Sequence, residues 1–257
     1  MLPSPIAIPA FSDNYIWAIS HQGQCVVVDP GDAAPVERFL NENGLNLAAI
    51  LVTHHHPDHV AGIATLTRDR NIPVYGPARE SIPCMTDPLG EGQQITLDAI
   101  DLSLTVMEVP GHTLGHIAYY SEAHGWLFCG DTLFAGGCGR LFEGTPSQMY
   151  TSLHRLAELP AQTLVYCTHE YTRANLEFAL AVTPENQRVE ARLAAVVAAR
   201  EEGQITLPTT IAEECRTNPF LRSGDESVKA ACEARDPGAS TDDVQCFASL
   251  RRWKDNF

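Results

Sequence analysis

Long apolar runs are missing from this chain. None approaches the roughly 20 residues that span a bilayer, so neither a membrane anchor nor a membrane partner is expected. Positive charge is scarce: 17 Lys and Arg stand against 32 Asp and Glu, for a net charge of -15. A nucleic-acid protein carries a basic stripe, and no such partner is expected here. The first Lys or Arg is Arg38, which argues against a secretory signal or transit peptide. A cytoplasmic location follows if this is the full native chain. The eight cysteines include no C-x-x-C pair. Several lie in apolar runs, such as Cys25 before Val26, and read as small buried hydrophobes in a reducing compartment. Repeats, low-complexity tracts and a long linker are absent as well.

What is present is ordinary for a soluble globular protein: 257 residues, 44% hydrophobic and 19% charged. That length allows one large domain, or a large and a small one. The exception to the acidity is a basic cluster near the end, Arg251-Arg252-Trp253-Lys254. A solvated helix end is the plain explanation for it.

The richest stretch is Thr53-His54-His55-His56-Pro57-Asp58-His59. Imidazole nitrogen and carboxylate oxygen are ligands for zinc, iron and manganese. Residues 47–52 (Leu-Ala-Ala-Ile-Leu-Val) predict a buried strand, which Pro57 cannot continue. Extended backbone at 54–56 turns His54 and His56 one way and His55 the other. The turn at Pro57 then returns Asp58 and His59, so two pairs of donors suggest two metal ions. A solvated histidine-rich turn is the bland alternative. A helix from Val60 to Arg70 would point its N-terminal dipole at the site.

Elsewhere the pattern predicts strands over 6–8, 15–19, 25–29, 72–75, 94–97, 102–109, 117–120, 126–129 and 163–166. Helices are expected over 35–43 and 146–159. Strands outnumber helices between 80 and 130, which fits two packed sheets with helices outside. After Tyr171 the chain reads as helical, over 172–182, 184–201, 210–215, 227–234 and 243–251, with Thr183-Pro184 as an N-cap and first-turn proline. A domain boundary falls near 172, separating 1–172 from 173–257.

Three more donors each follow a predicted strand: His112, Asp131 and His169. Each alone reads as a loop residue, but strand ends can converge at one edge of a sandwich. His54, His56 and His112 would then hold one ion. Asp58, His59 and His169 would hold the other, with Asp131 bridging and an open position left for water. His55 and His116 read as supporting or structural. Asp29, at a strand end, is either a partner for a ligand histidine or a loop cap. Cys138 and Cys167 lie near enough for a thiolate ligand to remain an alternative.

These motifs resemble the metallo-β-lactamase superfamily: T-H-H-H-P-D-H, Gly111-His112-Thr113 through His116, Gly130-Asp131-Thr132 and the final His169. The resemblance is closer still to the hydroxyacylglutathione hydrolase, or glyoxalase II, family. Ser12-Asp13-Asn14-Tyr15, Gly137-Cys138-Gly139-Arg140, Thr168-His169-Glu170-Tyr171-Thr172, Asn218-Pro219-Phe220 and the closing Arg251-Arg252-Trp253-Lys254-Asp255 carry it. It implies an α+β fold, a four-layer αββα sandwich over 1–172 followed by a helical substrate-binding domain over 173–257. It also implies hydrolysis of S-(2-hydroxyacyl)glutathione thioesters, chiefly S-lactoylglutathione. Asp58 would orient a hydroxide activated between two divalent ions, zinc first, with iron or manganese as options. Arg140, Arg251 and Lys254 would supply positive charge for glutathione, and Tyr171 an aromatic wall. Phe142 stands where the family's eukaryotic members often have a tyrosine, and Arg140 replaces a lysine. The chain is expected to act as a monomer. The alternatives are hydrolysis of a lactone, β-lactam or phosphodiester, a persulfide dioxygenase using one iron, and a non-catalytic scaffold. Comparing thioester with lactone turnover, and measuring oxygen uptake with a persulfide, would separate them.

Overall fold

The structure is a computed structural model that describes residues 2–257. Two compact units are present. One contains the chain up to Glu108 together with Gly115–Gly130; the other contains Val109–Leu114 and Asp131–Phe257.

The first unit opens with β1 (Ile6–Ala10), β2 (Asn14–His21) and β3 (Gln24–Val28), paired antiparallel. Helix α1 (Ala33–Asn43) crosses over to β4 (Asn46–Leu51), which pairs parallel with β3. Short helices α2 (Pro57–Val60) and α3 (Ile63–Thr67) follow, then β5 (Val74–Pro77) and β6 (Asp87–Leu89), both parallel additions. Cys25, Val26, Val27 and Val28 are all buried, as a β-branched strand covered on both faces should be. The Asp32 carboxylate caps α1 at the Ala34 N–H, and Gly44 closes the helix at φ 62. Val36 and Leu40 of α1 pack with Val27, Ile50, Ile63 and Leu66 into one core.

β7 (Gln94–Leu97), β8 (Leu102–Glu108), β9 (Ile117–Ser121) and β10 (Trp126–Gly130) form an antiparallel meander. The buried Tyr119 of β9 donates its hydroxyl to the Val52 carbonyl at 2.8 Å, fixing this meander against the end of β4. His54 follows directly from that anchored strand end.

One expectation needs correction here. The helix predicted from Val60 to Arg70 is broken into α2 and α3. Gly62 lies so close to the Pro30 carbonyl that a Cβ would collide with it, and its N–H bonds that carbonyl at 3.0 Å. Asp58 and His59 therefore sit inside α2 rather than on a turn before a helix. Helices this short carry little macrodipole, and the predicted anion preference at the helix start falls away.

The second unit holds the two-residue strands β11 (Leu133–Phe134) and β12 (Gly137–Cys138), then α4 (Pro146–Ala157) and β13 (Leu164–Cys167). Thr145 and Gln148 form a capping box on α4, whose Met149, Leu153 and Leu156 are buried. Helices α5 (Thr172–Val182) and α6 (Gln187–Glu201) pack through Leu176, Ala179, Val189 and Val196. β14 (Thr209–Thr210) pairs with β13, and α7 (Ile211–Thr217), α8 (Glu226–Arg235) and α9 (Asp243–Asp255) complete the unit. The expected cap at Thr183 is displaced to Asn186, whose side chain accepts from the N–H groups of Arg188 and Val189. Thr183 instead donates its hydroxyl to the Ala179 carbonyl and ends α5.

Candidate metal centre

In the first unit, β4 delivers Thr53 and His54 into a buried position, and the chain stays extended as far as His56. His54 Nε2 and His56 Nδ1 lie 3.1 Å apart, whereas His55 turns away to Glu80 at 3.1 Å. The alternation expected of extended backbone is therefore present. Asp29 organises the turn from β3. At φ 54 it adopts the left-handed conformation, which aspartate tolerates better than most residues. Its Oδ2 accepts the Thr53 hydroxyl at 2.7 Å and lies 3.1 Å from His59 Nδ1. Both readings are realised: Oδ1 and Oδ2 cap the loop at the Thr53 N–H and hydroxyl, and Oδ2 stands beside His59.

These contacts assign the tautomer of His54. The Thr53 hydroxyl gives its single proton to Asp29, so it accepts one from His54 Nδ1 at 3.1 Å. His54 Nε2 then carries a lone pair, and Asp29 Oδ2 stands beside His59 Nδ1 as a charge partner. His116 stacks on His54 with ring centroids 4.6 Å apart and gives Nδ1–H to the Ile117 carbonyl. The side chain of Asp58 is 40% exposed, and the Asn14 amide holds its Oδ2 at 3.0 Å.

In the second unit, His112, Asp131 and His169 leave three different strand ends. His112 gives Nδ1–H to the Arg140 carbonyl at 2.7 Å, so its Nε2 is also a lone-pair donor. That Nε2 lies 3.5 Å from Asp131 Oδ2, and His169 Nε2 lies 3.3 Å from the same oxygen. Two ligand atoms each about 2.1 Å from a shared ion at tetrahedral angles would be about 3.4 Å apart. Electron-rich atoms at this spacing suit a cation between them, and the donor set fits a divalent metal. Gly139 is required here, since a Cβ would strike the Asp131 carbonyl.

A cavity of about 410 Å³ opens on these residues, entirely within the second unit. His112 and Asp131 line one part of it. Arg140, Phe142, Tyr171, Arg251 and Lys254, all expected at the site, also line it. Tyr171 stacks flat on His169 at 4.6 Å, with Phe134 edge-on to both rings. The expected cations differ in state. Arg251 is only 7% exposed, with Nη1 bonded to the Cys138 carbonyl at 3.0 Å and Nη2 to Asp255 at 3.0 Å. Burial pulls the Lys254 ammonium down to about 8, helped by the nearby Arg251 charge. Lys254 donates to the Ala174 carbonyl at 2.9 Å. Arg140 is exposed and shares Asp255 with Arg251. The thiolate alternative is not built at Cys138: Arg251 Nη1 lies 3.6 Å from its Sγ, and the candidate metal-holding groups among the described residues contain no cysteine. Sequence reasoning missed Asn175, which lines the cavity from mid-helix with no motif around it.

Residues 11–169 match the family described as the metallo-beta-lactamase superfamily, and residues 170–257 match that described as hydroxyacylglutathione hydrolase C-terminus. The chain is 57% identical over 261 residues to a hydroxyacylglutathione hydrolase of Cupriavidus taiwanensis, covering 97% of each chain.

The chain belongs to the hydroxyacylglutathione hydrolase family.

It is thus a hydrolase with an α+β metallo-β-lactamase fold and a helical C-terminal region. Two solved structures extend the comparison. ETHE1 from Myxococcus xanthus has a TM-score of 0.65 and 25% identity, covering 96% of this chain and 99% of its own. TTHA1623, solved in a di-iron-bound form, has a TM-score of 0.60 and 27% identity, covering 85% of this chain and all (100%) of its own. The family's fold and its clusters of His and Asp side chains support binding of a divalent metal. No helix among the described residues is long and apolar enough to cross a membrane.

Proposed function

We propose that this hydrolase cleaves S-(2-hydroxyacyl)glutathione thioesters, chiefly S-lactoylglutathione, to glutathione and a 2-hydroxy acid such as D-lactate. In the cell this is the closing step of methylglyoxal detoxification. The observation that carries the reading is the cavity of the second unit, which joins metal donors (His112, Asp131) to cationic side chains (Arg140, Lys254). Thioester cleavage needs the first group, and an anionic glutathione needs the second.

His54, His56 and His112 would hold one divalent ion, and Asp58, His59 and His169 the other, with Asp131 shared. Zinc is the proposed metal, with iron or manganese compatible with the same donors. Such ions, when bound, supply a nucleophilic water near neutral pH and polarise the thioester carbonyl. The chain's own residues do the rest. Asp58 accepts a hydrogen bond from the attacking water, and the Asn14 amide keeps its carboxylate aimed. Lys254 and Arg140 attract the glutathione carboxylates, and Arg251 holds the wall on which they sit. Tyr171 provides an aromatic face backed by His169. Phe142, 62% exposed, offers apolar contact and no hydroxyl. The thiolate leaves readily, so no strong general acid is needed. Residues 173–257 form the substrate-binding domain of this proposal. The enzyme works as a cytoplasmic monomer without nucleic-acid or membrane partners.

Elemental analysis and S-lactoylglutathione hydrolysis on the same preparation test this reading. Two divalent ions per chain with release of free thiol are expected. A metal-loaded protein that leaves S-lactoylglutathione intact would overturn it.

A further inference from the structure

We propose that Glu214, acting with Asn218, is a positioning residue for glutathione-thioester binding: it holds the strap of residues 133–140 that forms one wall of the pocket. The proposal rests on the function proposed above. Phe134, Cys138 and Arg140 of the strap line the cavity. Yet the strap is only β11 and β12, two residues each, joined through Gly136 at φ 71. So short a hairpin does not hold its own shape, and its geometry must come from outside.

Glu214 lies on α7 and is wholly buried. One carboxylate oxygen faces the scaffold, accepting Arg192 Nη2 at 2.7 Å and the Thr209 hydroxyl at 2.7 Å. The other faces the strap, accepting the Gly136 N–H at 2.7 Å and the Asn218 amide at 3.0 Å. That same amide donates to the Gly137 carbonyl at 2.9 Å and the Phe134 carbonyl at 3.3 Å. From the other side, Asn175 donates to the Ala135 carbonyl at 3.1 Å. The backbone of the strap is thus tied bond by bond to side chains behind it.

A buried ion pair is poor evidence for stability, because the desolvation it demands offsets its attraction. An apolar side chain could fill the space of Glu214. It could not accept the Gly136 N–H or orient the Asn218 amide. Those two bonds are what the carboxylate adds, and both end on the pocket wall. Glu214 does not line the cavity itself, so it acts through the strap.

Full-length Glu214→Gln and Asn218→Ala are compared with wild type. The readouts are kcat and KM for S-lactoylglutathione, Kd for S-hexylglutathione by calorimetry, metal content and Tm. Each variant should raise KM and Kd about tenfold, the scale of one hydrogen bond to a charged group. Both should keep kcat and metal content within about threefold. If Glu214→Gln does not fold, Asn218→Ala decides alone, because it leaves the Glu214–Arg192 pair intact. Folded variants with unchanged KM and Kd would overturn the proposal, as would a loss accounted for entirely by a smaller folded fraction. Wild type that fails to turn over the thioester refutes the function itself, whereas active wild type with unaltered variants refutes only the positioning role.

Discussion

The donor turn of residues 53–59 and the basic end of α9 treat their functional groups in opposite ways. In the turn, neighbours hold the outer face of the rings, and the inner nitrogens of His54 and His56 face each other. Thr53 occupies His54 Nδ1, so its Nε2 keeps a lone pair, and Asp29 Oδ2 stands 3.1 Å from His59 Nδ1. On α9 the neighbours take the functional atoms themselves. The Cys138 carbonyl and Asp255 hold Arg251, and the Ala174 carbonyl accepts from Lys254. The first region is pre-organised to bind a cation. The second is built largely of cations already committed to the protein, so recognition of an anion there depends on how much charge burial has left.

Asp131→Asn attacks the donor side where both histidines of the second unit meet. Since loss of an outer partner costs 10–100-fold, loss of this ligand should cut activity more than about 100-fold, with metal content falling in parallel. Full activity with metal retained would remove Asp131 from the centre. Asp29→Asn leaves every donor in place but weakens the hold on His59, so metal affinity should fall roughly 10–100-fold. Competition with a chelator measures this, and unaltered affinity would mean that the turn does not depend on its buried carboxylate.

On the cationic side, Lys254→Met should raise KM for a glutathione thioester roughly tenfold, as for loss of a charged hydrogen bond. The pH profile sharpens the point. With its pKa lowered to about 8, the Lys254 ammonium is charged below that pH and neutral above it. Wild-type kcat/KM should therefore decline as pH rises through 8, and Lys254→Arg, charged throughout, should lose that decline. Identical profiles would show that Lys254 does not contact the substrate. The smallest effect is a gain: Phe142→Tyr adds a hydroxyl at an exposed pocket position and should lower KM about 2- to 10-fold. No change would mean that this ring meets solvent rather than glutathione.

Much of this was legible along the chain because the relevant physics is local. The apolar run of 47–52 predicts the buried strand, and period-two alternation separates His54 and His56 from His55. Gly44 ends α1 because only a residue at ease with positive φ fits there. Where the reading fell short, the deciding partner was distant. The break at Gly62 comes from the Pro30 carbonyl, and the shifted cap on α6 comes from Thr183 bonding backward to α5. The family resemblance implied a charged Arg251 at the pocket, and Arg251 does line the cavity, but its anchoring could not be read along the chain. One of its partners, the Cys138 carbonyl, lies 113 residues away.

By itself, then, the sequence determined the donor inventory and the layout of strands and helices. Spacing within a few residues sets which side chains share a face, and residue type sets what they can ligate. Tertiary structure decided which nitrogen each histidine presents, how much charge Lys254 retains and what anchors the pocket strap. Those outcomes depend on desolvation and on hydrogen bonds between groups far apart in the chain, and they exist only once the two are brought together.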